Sequence, residues 1–272
     1  VFVAASVQWI RSAKDCVTTL APTGASKPMF IVNKTALLGI AVCLWTAAAG
    51  AQEQQYMLLS REAEQDVELT ADPNTPFWTN CPPVFIRHSI LGAPATNLHA
   101  EIRSRWTQEN LYFLFIAQYE TLNLRTNANT ESETHRLWLH DCMEVYVGVD
   151  PEHPNLYRGF QMSPLGEFLD LNIDSTRPRP GYGDEHLWDS GMKVKARIDE
   201  KAKIWYGEMQ IPMKSINLPL PRPGIEVSVN FCRQDGRQSR TFMAWQPTGE
   251  WTPHRPEKFG TLRLVDGGNA GP

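Results

Sequence analysis

Two tryptophans stand where an indole is hard to bury. Trp138 follows a polar stretch, and Trp251 lies in Pro247-Thr248-Gly249-Glu250-Trp251-Thr252-Pro253. An exposed indole is a flat apolar plate with one N–H donor. It suits the CH-rich face of a pyranose, while carboxylates and amides nearby take the hydroxyls. The alternative is that each tryptophan packs under its own loop. Glu144 is the best-placed carboxylate, on the polar side of an alternating apolar run. A solvated strand-face glutamate is the competing reading, and a glycosidase would need a second carboxylate on a facing wall. No G-x-S-x-G, H-E-x-x-H or G-x-G-x-x-G pattern is present, which removes support for nucleophilic, metallopeptidase and dinucleotide chemistry. His135, His140 and His153 lack helical i, i+4 pairing and read as surface residues. Asp170, Asn172, Asp174 and Asp184 offer hard oxygens that suit calcium, though without the twelve-residue spacing of a helical calcium loop.

Short strand-like runs must position these groups. They fall at 84–90, 101–106, 111–118, 143–149, 157–162, 168–173, 194–198, 204–211, 226–231, 241–245 and 261–265. In 143–149 the odd positions are Met143, Val145, Val147 and Val149, and Glu144 and Tyr146 point the other way. Turn residues separate the runs, as in Asp150-Pro151 and Asp235-Gly236. Trp106, Trp205 and Trp245 lie within runs and are expected in the core. The expectation is an all-β fold, a single antiparallel β-sandwich with long loops at 120–141 and 174–191. The first of those loops leads into Trp138.

The 272 residues carry a net charge of −4 with no basic run, so a nucleic-acid surface is not expected. Met29, Lys34, the apolar stretch 36–45 and Ala49-Gly50-Ala51 read as a secretory signal peptide over 29–51. Residues 1–28 then read as an over-extended N-terminus. Residues 1–51 hold four of the 26 basic residues and one of the 30 acidic ones, so the 221 that follow carry −7. The expected organisation is an irregular polar lead-in at 52–77, the sandwich at 78–265 and a tail at 266–272. The mature chain is expected to be secreted or periplasmic, with no membrane span. Cys81, Cys142 and Cys232 are an odd set, each expected buried and free.

Several segments resemble, in order, those of family 9 carbohydrate-binding modules. Trp138 to Val147 is similar to the family's W-x-x-D-x-x-E-V-F-V. The segment from Tyr157 to Gly166 resembles its next strand and turn. Glu208-Met209-Gln210-Ile211-Pro212 matches E-x-x-I-P, and Asn230 to Arg233 matches N-x-x-R. Trp245-Gln246-Pro247 followed by Pro256-Glu257-Lys258-Phe259-Gly260-Thr261-Leu262 resembles the family's ending. The resemblance implies a DOMON-like (jelly-roll) sandwich that binds sugar-chain ends between two tryptophans, often with structural calcium. Carried over by position, Trp138 and Trp251 form the clamp and Glu144 bonds hydroxyls. Gln161 stands where binders carry arginine, and Ser228 where they carry a longer amide. The implied function is non-catalytic carbohydrate binding in glycan breakdown or uptake, with a glycoside hydrolase as possible partner. A DOMON-like haem or redox domain, using ligands such as Met162, Met192, His99 or His186, and a hydrolytic accessory domain are the alternatives.

Overall fold

The structure is a computed structural model, and it describes residues 56–95, 98–178, 183, 186–236 and 240–268. These fall within one compact unit, Ala47–Pro272. The segments expected to be a signal peptide, 29–51, and an over-extended N-terminus, 1–28, lie outside the described residues, as does Asp184. Among the described residues no helix is long and apolar enough to cross a membrane.

Thirteen strands form the fold among the described residues. They are β1 (Met57–Glu62), β2 (Val84–Ile86), β3 (His88–Ser89), β4 (Ala100–Trp106), β5 (Asn110–Gln118), β6 (Cys142–Gly148), β7 (Leu156–Met162), β8 (Phe168–Asp174), β9 (Lys193–Asp199), β10 (Ile204–Pro212), β11 (Glu226–Asp235), β12 (Thr241–Ala244) and β13 (Gly260–Val265). The all-β expectation holds. The hydrogen-bonded path runs β8-β7-β6-β11-β13-β1-β4-β5-β10-β9 without interruption, so the ladder is one continuous sheet rather than the two separate sheets of a sandwich. The join is β1, which pairs in parallel with β13 and with β4. The sequence pattern missed this strand. Only Leu58 and Ser60 are buried along β1, and the flanking polar residues mask the alternation, so the segment read as an irregular lead-in.

The interior lies between the two halves of this sheet. Phe113 and Phe115 of β5 meet Phe231 of β11, with Phe113 and Phe231 centroids 5.2 Å apart. Trp106, Trp205 and Trp245 are buried in the same cluster, as expected. Gly260 passes under the Trp245 ring, where a Cβ would come within 2.6 Å of it, which explains a glycine after Phe259. Cys81, Cys142 and Cys232 are free and buried.

The segment before β2 is also tied down. Glu208 of β10 accepts hydrogen bonds from the backbone N–H of Thr70 and of Ala71, both at 2.7 Å, and from the Trp78 indole at 3.1 Å. Asp66 accepts from Thr107, Asn110 and Tyr112. Trp78 then covers Tyr112 and Leu114 on the outer face of β5.

Candidate functional site

Alternation along β6 divides its side chains. Met143, Val145 and Val147 face the interior, and Cys142, Glu144 and Tyr146 face outward. That outer face is covered. Ile90, Leu137, Tyr146, Tyr157, Leu169 and Cys232 form a second apolar cluster, with Trp138 and Phe259 packed on it. Glu144 is therefore on the predicted face but buried, at 2% exposure. Its cross-strand neighbours are Gln161 on β7 and Cys232 on β11. The Tyr146 hydroxyl donates to Glu144 Oε2 at 2.5 Å, and the Gln234 amide lies 3.5 Å from Oε1. Burial pushes the Glu144 carboxyl above the ordinary range, and the bonds from Tyr146 and Gln234 oppose that. Burial also raises the thiols of Cys142 and Cys232, which keeps them protonated.

Gln161 is equally buried, and its Oε1 finds no hydrogen-bond partner among the described residues. Ser228 shares the face of Cys232 but lies four residues along β11 and is exposed, about 13 Å away at the usual strand rise. The structure thus groups Glu144 and Gln161 and leaves Ser228 outside. The amide in that place is Gln234, which register alone could have found, because Gln234 and Cys232 share a face and Cys232 opposes Glu144.

Trp138 sits in a 3₁₀ turn, Leu137–Leu139, entered through Arg136 at φ 57°. The turn is stapled from two sides. The Arg240 guanidinium donates to the carbonyls of Trp138 at 3.0 Å, His140 at 3.2 Å and Leu139. Asn123 donates its amide to the Leu139 carbonyl, and its backbone N–H to Asp141 Oδ2 at 3.0 Å. Burial lifts the Asp141 carboxyl to about 6, against the pull of the Asn123 N–H. Trp138 is half-buried on the cluster below, whereas Trp251 is 76% exposed on the loop between β12 and β13. The rim is completed by the turn after β3, where the Gly249 N–H donates to the Ile90 carbonyl at 3.0 Å.

The β8 oxygens are engaged by protein groups. Asp170 accepts from the Ser190 N–H at 2.9 Å and from its hydroxyl, Asn172 receives the Arg158 guanidinium, and Asp174 caps Thr176 and pairs with Arg177. Among the described residues no three acidic, histidine or cysteine side chains converge in a way that could hold a metal. Glu133 instead leans on Asp170, and burial with that neighbour raises it to about 8. Met162 and Met192 fill the interior, His99 stacks edge-on against Phe85, and His186 Nδ1 meets the Asn172 carbonyl.

Comparison with known proteins identifies the family. Residues 74–267 match the model of the carbohydrate family 9 binding domain-like family. Endo-1,4-beta-xylanase A of Thermotoga neapolitana is 25% identical over 194 residues, and its counterpart in Thermotoga maritima is 24% identical. The match spans 69% of this chain but only 16% of either xylanase. A Bacteroides uniformis protein described as a candidate carbohydrate-binding protein superposes with TM-score 0.59 at 17% identity, over 76% of this chain and 98% of that one. A family 9 carbohydrate-binding module of Caldicellulosiruptor kristjanssonii, solved with cellotriose, gives TM-score 0.55 at 12% identity over 77% and 94%. Its glucose complex gives the same score at 14% identity, over 77% and 96%. With the family model covering most of the described residues, the chain belongs to the carbohydrate family 9 binding domain-like family.

Proposed function

We propose that the protein is an exported, non-catalytic binder of sugars or polysaccharide chain ends. Trp138 and Trp251 supply the flat apolar walls, over a floor that the buried Glu144 and Gln161 hold in shape. One observation carries this reading. The Trp138 turn packs on the outer cluster, and the loop bearing Trp251 reaches the same cluster through His254 and Phe259, above the adjacent Glu144 and Gln161. That pairing of aromatic plates with a few polar acceptors is the chemistry of sugar recognition. Ser228, which stands where binders carry a longer amide, is remote, and Gln234 supplies an amide beside Glu144. The cellotriose and glucose held by the structural neighbours, and the xylanase setting of the sequence relatives, favour a plant-type glycan and a hydrolase partner. The apolar segment ending at Ala51 supports export, with Gln52 as the first mature residue. Screening the mature chain, Gln52–Pro272, on a glycan array tests the reading. Retention on oligosaccharides that is lost in Trp251→Ala is expected. A wild type that binds no glycan would overturn it.

A further inference from the structure

His254 lies three residues beyond Trp251 and is seated in the sheet. Its ring centroid is 5.6 Å from that of Tyr146 on β6 and 6.2 Å from that of Tyr157 on β7. Its Nδ1 is 2.8 Å from the Tyr157 hydroxyl oxygen. Phe259, at the end of the same loop, closes the stack at 6.1 Å from Tyr146 and 5.4 Å from Tyr157. On the other side of Trp251, the Thr248 hydroxyl lies 3.0 Å from the Glu250 carbonyl and 2.8 Å from that of Thr252. Arg255 pairs with Glu250 at 2.7 Å and with Glu257 at 2.6 Å, bracing the tip from both flanks. The loop is thus fastened at two points while its indole stays in solvent. Presetting a loop in this way spares the ligand the entropy of ordering it.

We propose that His254 is a positioning residue for Trp251: as a neutral imidazole on Tyr157 it holds the loop 246–259 ready for ligand, and its protonation frees the loop. The inference rests on the sugar-binding reading above. The groups facing the ring support a neutral seat. Burial raises the hydroxyls of both Tyr146 and Tyr157 above their ordinary range. Glu144 is engaged by the Tyr146 hydroxyl. Arg255 and Glu257 neutralise each other. Burial, helped by nearby His186, pushes the imidazole down to about 4. Against an ordinary value of 6.5, the seat is at full strength above that pH and weakens as pH falls toward 4, by up to about 300-fold in the seating equilibrium.

The test follows hydrogen exchange of residues 246–259 and the dissociation constant for cellotriose, in the full chain, from pH 7.5 to 4. In the wild type, exchange in the loop should rise and affinity fall about tenfold or more through one acid step, with β5 and β10 still protected. His254→Gln places a neutral amide in the seat and should abolish the step in loop exchange. Tyr157→Phe, which keeps the ring and removes the partner oxygen, should loosen the loop at every pH without unfolding the sheet. A step that persists unchanged in His254→Gln, or loop exchange that stays flat in the wild type, overturns the inference. A wild type that shows the loop step but binds no cellotriose at pH 7.5 overturns the sugar reading and leaves the seat standing.

Discussion

Each site residue carries a different mixture of binding and stability, and exposure decides the mixture. Trp251 stands in solvent, so Trp251→Ala should lose about 1–3 kcal/mol of sugar affinity and shift stability by no more than about 0.5 kcal/mol. Trp138 is half-buried on the outer cluster, so Trp138→Ala should lower both the affinity and the melting midpoint. Calorimetric titration beside thermal melting separates the two. Glu144 behaves in a third way. Its charge is desolvated, and an amide keeps its shape and still accepts from Tyr146. Glu144→Gln should leave the midpoint at neutral pH unchanged or higher, and change sugar affinity far less than Trp251→Ala, because a side chain 2% exposed does not meet the ligand. Asp141, under the Trp138 turn, supplies a pH signature. Its folded value is raised from 3.8 to about 6, so the native state holds the extra proton between those values. Stability from this group therefore falls as pH rises from about 4 to 6. Asp141→Asn should remove that fall, so that the melting midpoint climbs with pH across the window as the depressed His254 alone requires, and an unchanged slope would remove Asp141 as a source. The sequence revealed the residue types but not their solvent access. Glu144 was legible as an outward strand residue, while its burial depends on loops far away in sequence.

Elements were legible where apolar alternation was strong. The ladder from β4 to β8 and from β9 to β13 follows the periodic runs closely, because each strand presents one face to a shared interior. β1 was hidden because its order comes from two neighbours rather than from its own pattern. The segment 66–78 was hidden for a related reason. Polar residues and prolines read as loop, yet Glu208 gathers three donors from it. The E-x-x-I-P glutamate is thus a latch between β10 and that segment. Glu208→Ala would strand those donors in a buried place, and a loss on the order of 3–5 kcal/mol is expected in denaturant unfolding. Trp78 should become accessible to acrylamide in the same variant. Its full protection would show that the segment is held by packing alone.

For the molecule as a whole, the family match beginning at residue 74 leaves out the strand that joins the two halves of the sheet. A chain begun at Asn74 lacks β1 and the Thr70 and Ala71 donors. It should fail to give a cooperative melting transition, whereas one begun at Gln52 should melt in a single step. The parallel pairing of β1 with β13 also sets how the unit carries load. Tyr56 enters beside Thr261, and Arg61 leaves beside Val265, so the chain arrives at one end of this pair and departs at the other. Tension applied through residues 56 and 266 then pulls the two strands lengthwise past each other. Five register pairs resist together instead of opening one at a time. Pulling instead on Leu156 and Asp174, paired at the open end of the β7–β8 hairpin, peels its rungs in turn. In single-molecule force measurements the first geometry should rupture at the higher force. A unit pulled through the two ends of this strand pair would thus be loaded along its strong direction.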